Sequence, residues 1–313
     1  MKLAPSKPPG GGAAYYAILV CATFLMASSF IAGKVLLSHG APAFLLVGWR
    51  FVVAAGAAAA ALYFTTDKFF TALFPARFEA TDWLTVIVIG VLQTSMAMGL
   101  LFWAMETIPP PTAAILLFTN PLWVALVGHA LLGERLSGLR LAGLGLGVAG
   151  VALALGGGFS LEGEALKGEA LGLCAGLSWA ASTLVNKRAR LPIETWALTF
   201  WQMASGAIAL LVVAHARGQS WPADFPATGW LWFAWLAIPG STASFGLWFL
   251  ALTMGGATRS SGYLFLAPLF TVLLSAAILD AHVTPVQLLG GALIGAGVFM
   301  INRVPKPAAA EAG

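Results

Sequence analysis

The chain has 313 residues, of which 59% are hydrophobic and only 9% charged, with a formal net charge of +4. A soluble domain carries roughly a quarter of its residues charged, so no water-soluble fold would cover this much apolar surface. The 16 Lys and Arg are scattered through short polar segments rather than clustered, which excludes a nucleic-acid-binding face.

Apolar runs of about 20 residues, the length a helix needs to cross a bilayer, recur along the whole chain. Pro, Gly and charged residues punctuate them into ten expected spans, at 15–37, 42–64, 82–105, 110–132, 137–156, 167–188, 193–215, 228–251, 258–279 and 285–302. The runs are continuous rather than alternating, which excludes a transmembrane β-barrel. Connections are short, and the longest, 65–81 and 216–227, hold the mixed polar segments. The Pro/Gly-rich lead Lys2–Gly12 resembles the start of a cleaved signal peptide. Span 1 is nonetheless expected to stay in the mature protein, because it has a counterpart deep in the chain.

That counterpart comes from an internal repeat. A shift of 153 superposes Ala17, Cys21, Ala22, Ala27, Ser29 and Lys34 on Ala170, Cys174, Ala175, Ala180, Ser182 and Lys187. A shift of 147 superposes Trp83 on Trp230, Gly99 on Gly246, Pro121-Leu122 on Pro268-Leu269 and Gly150-Val151 on Gly297-Val298. Five spans per half is an odd number, so the second half is expected to enter the membrane inverted. With the N-terminus in the cytoplasm, that side holds Lys2, Lys7, Lys68, Arg77, Arg135, Arg140, Lys187, Arg188, Arg190, Arg259, Arg303 and Lys306. The opposite side holds only Lys34, Lys167 and Arg217. The excess places both termini in the cytoplasm. The expected fold is an all-α membrane protein of ten transmembrane helices, two inverted five-helix repeats around a central cavity. Residues 1–14 form a disordered lead, 15–156 the first repeat, 157–166 an extracytoplasmic linker, 167–302 the second repeat and 303–313 a cytoplasmic tail.

The segment Asn120-Pro-Leu-Trp-Val-Ala-Leu with Leu131-Leu-Gly-Glu-Arg-Leu-Ser137 precedes a ladder of Gly143, Gly147 and Gly150. Together with Ser28-Ser29-Phe30 and Lys34, Trp49-Arg50, and Ser178-Trp179-Ala180, it resembles the signature of EamA-like members of the drug/metabolite transporter superfamily. Within that family the likeness is greatest to YddG-type exporters of aromatic and other hydrophobic amino acids. The resemblance implies export of such solutes across a bacterial cytoplasmic (inner) membrane. Two departures stand out: Met26 where the family often carries Trp, and Asp280-Ala281-His282 in place of the Gly133-Glu134-Arg135 turn.

No G-x-x-x-x-G-K-[ST] phosphate loop is present, so the chain is not expected to use ATP directly. His39, His129, His215 and His282 lack metal-ligand spacing and read as helix-end or packing residues; no cofactor, metal or enzymatic activity is expected. Cys21 and Cys174 read as small buried packing residues. Trp83, Trp221 and Trp230, near span ends, read as interfacial anchors. Polar residues at mid-span are costly unless they face a partner or a water-filled cavity. Gln93, Thr94 and Ser95 in span 3, Pro239, Gly240, Ser241 and Ser244 in span 8, and Trp179, Ser182 and Asn186 on one face of span 6 share that depth. The candidate substrate-binding set is Met26, Ser29, Gln93, Met96, Asn120, Trp179, Ser182, Ser244, Trp248 and Tyr263. Pro110, Pro121, Gly240 and Pro268 are the candidate hinges, with Pro121 and Pro268 interrupting their spans. Arg50 reads as snorkelling or pairing locally; a gate or a contact to a substrate carboxylate is the alternative.

An apolar, Trp- and Met-lined cavity suits neutral or zwitterionic hydrophobic solutes better than sugar phosphates, which would call for several Lys or Arg. The expected partners are a small-molecule substrate and the bilayer, with no nucleic acid, and the expected state is a monomer or a homodimer. No Asp or Glu lies mid-span, so facilitated movement is favoured over proton antiport. Proton-coupled efflux of drugs or small cations is the alternative, and an intramembrane enzyme or structural protein a third reading.

Overall fold

A computed structural model describes residues 12–132, 138–154, 163–255, 262–281 and 284–302, all helix and connecting turn. The Gly133-Glu134-Arg135 turn, Arg259, His282, the proposed linker core and both tails fall outside the described residues.

The first half comprises α1 (Ala13–Ser38), α2 (Ala43–Thr65), the short α3 (Phe69–Leu73), α4 (Ala80–Gly90), a π-helical segment (Val91–Met96), α5 (Ala97–Ala104), α6 (Pro110–Leu117), α7 (Asn120–Leu132) and α8 (Gly138–Ala154). The second comprises α9 (Glu164–Ala189), α10 (Thr195–Ala216), α11 (Ala227–Ala237), a second π-helical segment (Ile238–Ala243), α12 (Ser244–Gly255), a 3-10 turn (Gly262–Phe265), α13 (Leu266–Leu279) and α14 (Pro285–Asn302). Among the described residues, five helical stretches are long and apolar enough to cross a membrane: Ala13–Ser38, Ala43–Thr65, Ala80–Ala104, Pro110–Val127 and Thr195–Ala216. Shorter apolar helices, Leu141–Leu153, Leu266–Leu279 and Leu288–Met300, accompany them.

Local chemistry sets the helix ends. The chain leaves α1 through Gly40 at φ +82°, a left-handed position that a side chain would strain. At the start of α4, Glu79 and Asp82 form a capping box, each side chain accepting from the other's backbone N–H. Glu194 caps α10 by accepting from the N–H groups of Trp196 and Ala197 at 2.6 and 3.1 Å.

The repeat is visible in this geometry. The 147-residue shift carries α4, its π segment and the start of α5 onto α11, its π segment and the start of α12, and the first residue of α8 onto that of α14. Packing exchanges the halves in the same way. Helix α1 lies against α11, α12 and α13, while α9 lies against α4, α5, α6 and α7. Helices α2 and α10 pair with each other, as do α8 and α14. The last pairing is as close as backbone allows: a Cβ at Gly150 would stand 2.7 Å from the Gly290 carbonyl oxygen, and one at Gly297 would fall on that of Gly143. Small residues permit such contact where no hydrophobic drive exists between helices in lipid.

Aromatic clusters repeat as well. Phe74 and Phe78 pack on Trp83, and the equivalent Trp221 and Phe225 pack on Trp230. The first cluster extends to Trp201, whose indole donates to the Leu73 carbonyl, and Leu73 packs with Leu62 near the C-terminal end of α2. The second adjoins the N-terminal end of α2, where Gln219 Oε1 accepts from the Leu45 N–H at 3.1 Å.

Two expectations need correction. Cys21 and Cys174 are exposed on α1 and α9 rather than buried; on a bundle bathed in lipid, a small apolar side chain has no need of the core. Pro121 and Pro268 do stand at interruptions of their spans, but in the first turn after each break rather than in a helix interior. The break in the fourth helix falls at Phe118–Thr119, and Pro121 stands in the first turn of α7, as Pro110 does in α6 and Pro268 in α13. A missing N–H costs little there, since first-turn donors have no helical acceptor.

Candidate functional site

The π segments decide the centre of the molecule. One extra residue per turn frees backbone acceptors, and Ser241 Oγ donates to the Leu236 carbonyl five residues back at 2.8 Å. Ser244 Oγ likewise lies within bonding reach of the Gly240 and Ser241 carbonyls, at 3.0 and 2.9 Å. Each π segment then meets the first helix of the other half. Ser182 on α9 is fully buried and donates to Gln93 Oε1 at 3.1 Å. At the equivalent crossing, Ser29 on α1 lies so close to Gly240 that a Cβ there would stand 2.9 Å from the Ser29 Cβ. The shifts of 153 and 147 relate Ser29 to Ser182 and Gln93 to Gly240, so one crossing carries an amide where the other carries only backbone.

Between these crossings lies a cavity of about 900 Å³, part of it open to solvent. Its walls come from both halves at matched positions. Met26 and Trp179 face it from α1 and α9, and Arg50-Phe51 and Gln202-Met203 from α2 and α10. Gln93 and Gly240 face it from the π segments, with Phe118, Ser244 and Trp248 adding further wall. Trp179 and Phe118 pack with ring centroids 6.2 Å apart. No Asp or Glu lines it among the described residues.

Of the expected site residues, Met26, Ser29, Gln93, Trp179, Ser244, Trp248 and the candidate hinge Gly240 line this cavity. Ser182 stands just behind the wall and holds Gln93. Three are placed elsewhere. Met96 is 42% exposed on the outside of its π segment, because the extra residue per turn rotates it away from where α-helical spacing would put it. Asn120 opens α7 beyond the lining, and Tyr263 packs in a cluster with Tyr15 and Leu19. Outside the expected binding set, the cavity is also lined by Thr94, named for its mid-span depth, by Arg50, whose alternative reading was a carboxylate contact, and by Gln202 and the rings of Phe30, Phe51 and Phe102, for which no role was expected. The internal repeat held a signal for two of them: a shift of 152 lays Trp49-Arg50 on Trp201-Gln202.

A second polar group closes one end of the bundle. Lys34 Nζ donates to the Met105 carbonyl, and the charges of Lys167, Arg217 and Lys34 act on the Glu106 carboxylate from beyond ion-pair distance, Lys167 being paired with Glu164 at 3.1 Å. Arg217 lies over the rings of Phe44 and Trp103 at 4.9 and 4.7 Å, and Lys167 over Trp103 at 5.4 Å. Although Glu106 reaches the surface, the surrounding protein raises its pKa above the ordinary 4.5 by desolvation, against the opposing pull of the three cations.

Comparison with known families bears on this arrangement. The family model of the EamA-like transporter family matches residues 13–156 and again 166–303. The chain belongs to the EamA-like transporter family. The two matches coincide with the two halves, and the EamA-like family makes this a multi-pass membrane protein that transports small molecules. One solved structure, described only as the crystal structure of a protein, is similar with a TM-score of 0.62 and 24% identity over 92% of this chain and 96% of the other. At that identity the likeness concerns the EamA-like fold alone. No curated protein matches the chain.

Proposed function

We propose that the protein is a secondary transporter exporting hydrophobic and aromatic amino acids from the cytoplasm of a bacterium, by alternating exposure of the central cavity. The observation that carries this reading is the cavity itself: Trp179, Phe118, Met26 and Trp248 offer apolar faces, with Gln93, Gln202 and Ser244 among them. An amino acid with a large apolar side chain has the same division between body and polar head. Placement at the crossings of the two halves supports alternation, since secondary transporters bind midway between repeats.

The same reading takes the bundle as ten spans in two inverted repeats, with both termini cytoplasmic. Its support is the exchange of packing partners between halves and the positions of the aromatic clusters. The one beside the start of α4 adjoins the C-terminal end of α2, and the one beside the start of α11 adjoins its N-terminal end. Likeness to YddG-type exporters points the same way. Movement down the solute's own gradient is favoured, because no carboxylate faces the cavity among its described lining residues to carry a proton.

The test is uptake of radiolabelled phenylalanine, tryptophan and methionine into proteoliposomes, with and without a pH gradient. Saturable uptake that is indifferent to the gradient is expected. Uptake no faster than in empty liposomes for all three would refute the substrate, and dependence on the gradient would refute the facilitative mechanism.

A further inference from the structure

We propose that Arg50 is the receptor for a carboxylate on the transported solute, so that the cavity selects singly charged carboxylates and refuses solutes whose only charge is positive. This rests on the central cavity being the solute site. Arg50 is 4% exposed, one-third of the way along α2, and belongs to the cavity wall. Its Nε donates to Ser241 Oγ at 2.7 Å. Ser241 in turn spends its own hydrogen on the Leu236 carbonyl, so its oxygen is fixed as an acceptor. The guanidinium lies over Phe51 and Phe102 at 5.0 and 5.4 Å, which holds its plane without neutralising it.

A guanidinium has five N–H donors, and the bond to Ser241 uses one. No acidic side chain pairs with Arg50 among the described residues, and none lines the cavity. An arginine at this depth that snorkelled would have its head at the bilayer surface, and one that paired locally would have an acid beside it. Neither holds here. A purely structural tie between α2 and the π segment would not need a cation either. The equivalent position on α10 is the neutral Gln202, which faces the same cavity beside the other π segment. What distinguishes Arg50 is a charge and a planar fork of donors in the wall of a largely aromatic and apolar cavity. A carboxylate is the group that such a fork accepts with two parallel bonds. A single cation matches a single negative charge, which separates this site from one built for phosphates.

The test uses the full-length protein purified in detergent, with ligand-induced change in melting temperature as the binding readout. The probes are phenylalanine, 3-phenylpropionate, phenylalaninamide and 2-phenylethylamine. The first two carry a carboxylate and are expected to stabilise the protein, while the amide and the amine are not. In Arg50→Gln the apparent affinity for the two carboxylates should fall by about tenfold or more, as when one partner of a buried charge pair is lost. Arg50→Lys keeps the charge and loses the fork, so it should fall between; it also stands in if Arg50→Gln does not fold. Equal stabilisation by phenylalaninamide, unchanged carboxylate affinity in a folded Arg50 variant, or no stabilisation by either carboxylate would overturn the proposal. The amino-acid reading fails separately, if 3-phenylpropionate binds through Arg50 while phenylalanine is neither bound nor transported.

Discussion

Replacing Gly150 or Gly297 by alanine tests whether the α8–α14 contact is as close as the structure has it. A Cβ at Gly150 would lie 2.7 Å from both the Gly290 carbonyl oxygen and the Ile294 nitrogen, and one at Gly297 would lie 2.8 Å from the Gly147 nitrogen besides meeting the Gly143 oxygen. These neighbours are backbone atoms of a second helix, so they yield only if the helices separate. Overpacking of this kind costs about 1–3 kcal/mol, while glycine to alanine in a helix gains up to about 1 kcal/mol. Backbone contacts this short put the cost in the upper part of that range, about 2–3 kcal/mol, so the net expectation is a loss of about 1–2 kcal/mol at each position. Gly145 is the internal control: it stands on the same helix, and a Cβ there meets nothing within 4 Å. Gly145→Ala should therefore be neutral or stabilising. Thermal unfolding in detergent, followed by tryptophan fluorescence, reads all three variants. If Gly150→Ala and Gly297→Ala melt no lower than wild type while Gly145→Ala behaves like them, the close approach is wrong.

Trp179→Ala, which removes a wall of the cavity, should raise the KM for transport on the order of tenfold in a protein that still elutes as a folded species. Wild-type KM would remove Trp179 from the site. Gln93→Ala and Ser182→Ala should be coupled in a double-mutant cycle by about 0.6 kcal/mol, the average for hydrogen bonds between membrane helices; strict additivity in thermal unfolding would refute the 3.1 Å bond between them. Glu106 holds its proton more tightly folded than unfolded, so its contribution to stability is present below the ordinary 4.5 and is lost as pH rises through its raised folded value. Glu106→Gln should flatten the melting temperature across that window, and an unchanged pH profile would show that desolvation does not govern this carboxyl.

Much of the organisation was legible in the chain itself. Apolar runs bounded by Pro and Gly located the helices, because in lipid a helix must satisfy every backbone group internally. The 147-residue shift predicted equivalent positions that the structure realises residue for residue in α4 and α11. Trp179, Gln93, Ser244 and Trp248 were readable by depth, since polar or amphipathic side chains at mid-span need a reason to be there. Depth, however, says nothing of azimuth. Met96 shared the depth of Gln93 but faces outward, because the π segment adds a residue to the turn and no spacing rule for α-helices anticipates it.

The sequence alone therefore determined where most of the apolar helices run, that there are two related halves, and which residues were candidates for a shared cavity. Only the tertiary structure decided which of those residues meet. The pairing of Ser182 with Gln93 joins residues 89 positions apart, and that of Arg50 with Ser241 joins residues 191 apart. Both arise because each half packs its first or second helix on the other half's π segment. An arginine that looked like a local pairing or a snorkel thus became a cavity wall: the Phe51 and Phe102 rings beside it belong to its own half, but its hydrogen-bond partner Ser241 comes from the other, and no acid pairs with it among the described residues.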